Sequence, residues 1–150
     1  MVVYHIVREQ YRNRLIPPLM NNRWNSDKHS VLYTSWCRSL ACLEILVHKS
    51  GEALLQNYCT VLLSLPANVS LEEVKMSDLA KAWYRVGDES CRRFGEEWAH
   101  QQRSCVLKVP SSVVHGEFNF LINTNHPEFQ KIKLLGPESF LFDKRLMRFN

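Results

Sequence analysis

Glycine is scarce, with five in 150 residues. Neither G-x-G-x-x-G nor a Walker A sequence occurs, which removes the loops that cradle phosphates on backbone N–H groups. The cysteines number five: Cys37, Cys42, Cys59, Cys91 and Cys105. The count is odd, no C-x-x-C is present and most have apolar neighbours, so reduced, buried thiols are expected. Six histidines are scattered without H-E-x-x-H or zinc-type Cys/His spacing, and no metal is expected. No serine stands in G-x-S-x-G, so a nucleophile elbow is not supported. No apolar run approaches the roughly 18 residues of a membrane helix. Met1–Arg14 lacks the apolar core of a signal peptide, and the expected location is the cytoplasm.

What is present is an ordinary globular composition, 45% hydrophobic and 23% charged over 150 positions. That suits one domain, residues 1–150, with its own core. The net charge of +4 is spread from Arg8 to Arg148, so no direct nucleic-acid binding is expected. Val2–Val7 reads as a strand. Arg8–Ser30, broken at Pro17-Pro18 and Asn21-Asn22, reads as a long polar loop of the kind that tends to be functional. Val31–Ser35 is a second strand. Trp36–Lys49 has helical spacing, with Trp36, Leu40, Leu43 and Val47 as its apolar stripe and Gly51 beyond its end. Tyr58–Leu65 reads as a strand and Leu71–Met76 as strand or helix. Ser77–Tyr84 reads as a helix capped by Ser77, and Asp88–Gln101 as a helix with Gly95 its weak point. Cys105–Val109, Ser112–His115 and Phe118–Ile122 follow as strands, then a helical turn at Pro127–Lys131 and a last strand through Phe140 and Phe142. Strands at both ends around helices predict an α+β fold.

Candidate chemistry concentrates between Arg23 and Glu44. Glu44 lies on the edge of an apolar helical stripe, where a carboxylate needs hydrogen bonds or a neutralising charge. A salt bridge to an arginine or a solvent-facing position would satisfy it. So would a role as a carboxylate held for a sugar hydroxyl or a developing cation. Arg23 either stacks on Trp24 or grips phosphate with its planar fork. Tyr33 is either a sheet-face tyrosine or a ring surface for a flat heterocycle. Ser111 and Ser112, at a break between strands, either satisfy their own backbone or face a ligand.

Taken in order, several segments resemble the RES domain family, named for its Arg, Glu and Ser. They are Asn22-Arg23-Trp24-Asn25, Val31-Leu32-Tyr33-Thr34-Ser35 and Leu40-Ala41-Cys42-Leu43-Glu44-Ile45-Leu46-Val47-His48. Val109-Pro110-Ser111-Ser112-Val113-Val114 looks like the serine segment. Glu117 to Asn123, His126-Pro127 and Phe142 to Leu146 continue the series, so the likeness covers almost the whole chain. It implies a fold similar to ADP-ribosyltransferase toxins, and a bacterial toxin that degrades NAD as a phosphorylase or glycohydrolase. Some family members instead ADP-ribosylate a protein.

Carried over by residue, the resemblance makes Glu44, Arg23, Tyr33 and Ser111 the catalytic set. Arg23, Tyr33, Ser111, Asn119 and His5 would contact the dinucleotide. NAD is then a substrate, inorganic phosphate its co-substrate, and no resident cofactor is implied. The implied partner is a helix-turn-helix antitoxin, bound to toxin dimers in a larger complex. Two departures mark this chain. Asn21-Asn22 stand where the family has Gly-Gly before Arg-Trp, and His5, with Arg8 nearby, stands where the first strand often has arginine. They keep a third class open beside the two activities, a module that only engages its antitoxin.

Overall fold

The computed structural model describes residues 1–49, 53, 54 and 56–147. Strand β1 (Val2–Arg8) leads through a 3-10 turn at Glu9–Tyr11 into the long loop. Strand β2 (Val31–Ser35) and helix α1 (Arg38–Leu46) follow, then β3 (Tyr58–Ser64) and the short β4 (Leu71–Glu73). Helix α2 (Glu89–Gln101) precedes β5 (Val106–Pro110), β6 (Phe118–Asn123) and β7 (Lys133–Phe140). The seven strands form one mixed sheet in the order β4-β5-β6-β2-β1-β3-β7. Only β4 and β5 run parallel; the other neighbours are antiparallel. The α+β expectation holds.

Alternate residues on a strand face opposite sides, and here the two faces are covered differently. One face buries Val3, Leu32, Val61, Val106 and Ile122 in a single cluster. On the other, α2 packs over Val31, Leu107, Val109 and Leu121, while α1 packs over Tyr4, Ile6 and Tyr58. Tyr33 and Ser35 share this second face, because Ser35 pairs with Tyr4 and Tyr33 with Leu121. The region between the two helices is therefore floored by the centre of the sheet.

Helix α2 starts one residue later than expected, because Asp88 is its N-cap. Asp88 is extended, and its carboxylate accepts the Ser90 N–H at 2.9 Å. Gly95 is a contact point and not a weakness. A Cβ there would lie 1.9 Å from the Trp24 carbonyl oxygen, so only glycine lets the loop lie on the helix.

Helix α1 starts later than expected. Cys37 is its extended N-cap, with Sγ accepting the Leu40 N–H at 3.4 Å, and Trp36 lies outside it. The helix buries Leu40 and Ala41 and packs Cys42, Ile45 and Leu46 against β1 and β3. Trp36, Leu43 and Val47 of the expected stripe are exposed. The proposed stop at Gly51 lies outside the described residues.

Two predicted elements are absent. Ser77–Tyr84 is not a helix: a 3-10 turn covers Met76–Asp78 and turns follow. The carbonyls of Trp83, Tyr84 and Arg85, which a continuing helix would pair within itself, accept from Arg23 instead. Ser112–His115 is not a strand either. The N–H groups of Val113 and Val114 both bind back to Ser111 Oγ at 3.0 Å, leaving no ladder to join. The final strand ends at Phe140; Phe142, beyond it, packs edge-on against Tyr58 with ring centroids 5.0 Å apart.

Candidate active site

Glu44 projects from the second turn of α1 and is half-buried. Ser111 Oγ donates to its Oε1 at 2.9 Å, and Asn119 Nδ2 donates to the same oxygen at 2.5 Å. Among the described residues no ion pair involves Glu44 and no hydrogen bond reaches Oε2. The salt-bridge option is thereby excluded for those residues. What holds the carboxylate is a pair of neutral donors on one oxygen.

Each donor is fixed by the strand that carries it. Ser111 follows β5 just past the last β5–β6 pair, Pro110 with Phe118. Its hydroxyl accepts two backbone N–H groups, so its one proton is directed at Glu44. Asn119 lies on β6 directly opposite Ser35 of β2, and its Oδ1 accepts from Ser35 Oγ at 2.7 Å. Across this corner, Trp36 Nε1 donates to Glu117 Oε2 at 3.2 Å, tying the start of α1 to the β5–β6 connection. The sequence alone assigns Ser35, Trp36 and Glu117 no role at the site. The period-2 alternation with Tyr33 was the available signal for Ser35.

Arg23 and Tyr33 belong to a second cluster beside α2. The Arg23 guanidinium donates from Nη1 to the Trp83 and Arg85 carbonyls at 2.8 and 3.0 Å, and from Nη2 to the Tyr84 carbonyl at 3.3 Å. Of the five N–H donors of an arginine, about two remain, on Nε and Nη2. Tyr33 donates to Asn25 Oδ1 at 2.8 Å and accepts the Trp24 N–H at 3.1 Å. Burial raises its phenol well above the ordinary tyrosine range, and the backbone bond from Trp24 and nearby Arg23 only partly offset that. Asn25 is 1% exposed, and its Nδ2 points at the carbonyls of Met20, Ser26 and His29. Arg92 of α2 reaches back to the Asn22 carbonyl at 3.2 Å. The loop before β2 is thus locked onto the sheet and α2.

His5 is not brought to either cluster. Strand alternation turns it to the opposite face, with Val3 and Val7. Desolvation within the protein lowers its pKa to about 4, and a hydrogen bond with the Tyr33 backbone acts the other way. An open cleft of about 920 Å³ also lies elsewhere, lined by Arg8, Arg12, Arg14 and Asn57 beyond the far end of β1. It contains no part of the Glu44 network, so the site is assigned by convergent donors and not by volume.

The RES domain model matches residues 2–143. The chain belongs to the RES domain family. A relative from Sphingobium sp. (strain YBL2), named "Prs ADP-ribosylating toxin", is 34% identical over 87% of this chain and 83% of its own length. A "Toxin Res" from Yersinia enterocolitica is 30% identical over 97% of this chain and 99% of its own. Another "Toxin Res", from Photorhabdus laumondii, is 27% identical over 99% and 98%. Among solved structures, the M. tuberculosis MbcT–MbcA toxin–antitoxin complex contains a chain of the same fold. It aligns with a TM-score of 0.76 at 12% identity, covering 93% of this chain and 84% of that one. This RES domain therefore shares its fold with a chain of a toxin–antitoxin complex.

Proposed function

We propose that this RES domain is the toxin of a toxin–antitoxin pair and cleaves the nicotinamide–ribose bond of NAD. The observation that carries the reading is the Glu44 carboxylate, held at Oε1 by Ser111 and Asn119 with Oε2 unspent among the described residues. Bond cleavage builds positive charge on the ribose, as in glycoside chemistry. A preorganised carboxylate oxygen stabilises that charge without having to reorient. The C–N electron pair passes to the cationic pyridinium, so nicotinamide departs neutral and needs no general acid. Inorganic phosphate then forms the new bond to the anomeric carbon, giving ADP-ribose 1″-phosphate. With water as acceptor, a proton is lost and ADP-ribose results.

In this scheme Tyr33 meets the nicotinamide side through its ring, since its hydroxyl is committed to the loop. The two unused donors of Arg23 hold the pyrophosphate. His5, on the other face, has no contact with the reacting sugar. The partner is a cognate helix-turn-helix antitoxin bound to a toxin dimer, and the site of action is the cytoplasm.

A second reading is transfer of ADP-ribose to a protein, favoured by the name of the Sphingobium relative. One experiment separates the two. Purified chain, freed of any antitoxin, is incubated with adenine-labelled NAD with and without phosphate, and small products are identified by mass spectrometry. Phosphorolysis predicts ADP-ribose 1″-phosphate only when phosphate is present. Label retained on a macromolecule selects transfer, and unchanged NAD under every condition contradicts both.

A further inference from the structure

We infer that Ser35 is a positioning residue for Glu44, acting through the side-chain amide of Asn119; this rests on Glu44 being the group that meets the ribose. A carboxylate offers only lone pairs, so Asn119 must present Nδ2–H to it, as it does 2.5 Å from Oε1. That choice turns Oδ1 of the same amide toward Ser35, whose hydroxyl must then donate, at 2.7 Å. The three side chains form a directed chain from Ser35 through Asn119 to Glu44. Each bond polarises the next in a partly enclosed setting.

The sheet builds this chain without a special loop. Ser35 and Asn119 are direct cross-strand partners in the β2–β6 ladder, so their side chains leave the same face side by side. Ser35 is 4% exposed, too enclosed for bulk solvent to take over its role freely. Without its hydroxyl, Asn119 Oδ1 loses its donor, and the amide is free to turn and aim Oδ1 at the carboxylate. Only Ser111 would then fix Glu44. The loss falls on the aim of Oε2 and not on the contacts that hold the dinucleotide, so it appears in kcat and not in KM.

The test uses the full chain and four variants: Ser35→Ala, Ser35→Thr, Asn119→Ala and the Ser35→Ala/Asn119→Ala double. Ser35→Ala is expected to lower kcat for NAD on the order of tenfold with KM changed less than about twofold. Ser35→Thr, which keeps the hydroxyl, restores most of the rate. The double variant is no slower than Asn119→Ala alone, because Ser35 works only through that amide. Additive losses, a loss confined to KM, or a threonine variant as slow as alanine each overturn the inference.

A second measurement does not depend on turnover. In the folded chain, the Asn119 side-chain amide protons should exchange slowly with solvent, quickly in Ser35→Ala and slowly again in Ser35→Thr. Equal exchange in all three overturns the inference whether or not NAD is consumed. Should the unaltered chain leave NAD intact while the exchange pattern holds, the proposed function fails and the Ser35–Asn119 coupling stands. Should Ser35→Ala fail to fold, the exchange comparison is made between the unaltered chain and Ser35→Thr. Rapid exchange of the Asn119 amide in either then overturns the inference.

Discussion

Around Arg23 most polar groups are spent on the fold: three carbonyls take three of the five guanidinium donors, two partners take the Tyr33 hydroxyl, and Asn25 is buried with its amide bonded throughout. Around Glu44 the polar groups are spent on one carboxylate oxygen, and among the described residues none reaches the other. Both clusters lie on the same face of the sheet, and both carry residues of the family motif. The contrast separates two reasons for placing a polar residue in a fold. One group closes a loop; the other holds a single carboxylate in a fixed orientation. A motif residue can serve either purpose, and its hydrogen-bond partners reveal which.

The contrast predicts opposite responses to substitution. Glu44→Gln keeps the shape of the side chain but removes its charge. NAD turnover should fall by about a thousandfold or more, with the thermal midpoint close to that of the unaltered chain. A variant that turns over normally would return Glu44 to a purely structural role. On the other side, Gly95→Ala drives a methyl group into the Trp24 carbonyl. A destabilisation of about 3 kcal/mol is expected by denaturant titration, despite about 1 kcal/mol of improved helix propensity. No loss, or a gain, would mean that the loop yields easily and is not locked as described.

Arg23→Lys tests the loop chemistry more finely. Lysine keeps the charge but cannot fork across three carbonyls. It should cost about 2 kcal/mol of stability and raise KM more than it lowers kcat. A pure kcat effect would move Arg23 into the Glu44 group.

The smallest effect is on the acid side of the stability profile. Lys131 and Ser70 hold the Glu128 carboxyl down at about 2, against an ordinary value of 4.5. A depressed carboxylate pKa adds stability that is present above the unfolded value and lost as pH falls from about 4.5 toward 2. His5 acts in an earlier window. Its folded pKa of about 4 lies below the ordinary 6.5, so the unfolded chain binds the extra proton between them and stability falls as pH drops through that range. Denaturant melts from pH 7 to 2 should therefore show two successive declines, and Glu128→Gln should flatten only the lower one.

Much of the frame was legible because its signals are local. The β-prone run Val31–Ser35 marked β2, and the helical run Asp88–Gln101 marked α2. The misreadings share a cause, since each involves a backbone group captured by a distant or unusual partner. Ser77–Tyr84 has helical composition, yet its last two carbonyls accept from Arg23, about 60 positions away in sequence. Ser112–His115 looks β-prone, but Ser111 folds it back on itself. At the site, Glu44 stood out because a carboxylate against an apolar pattern is conspicuous. Ser35 did not, because its importance depends on the β2–β6 register that sets it against Asn119, 84 positions along the chain. That no described residue reaches the second oxygen of Glu44 was equally hidden, since sequence records residue types and not which lone pairs are taken.

The most direct test of the central claim, that Glu44 stabilises a ribose cation, is the secondary isotope effect of deuterium at the anomeric carbon of the nicotinamide ribose. It is measured by competition between labelled and unlabelled NAD on the full chain. The account predicts a normal effect, with the deuterated NAD cleaved more slowly, because that carbon becomes trigonal in the transition state. An effect of unity or an inverse effect would mean that no cation forms for Glu44 to stabilise, and would contradict the account.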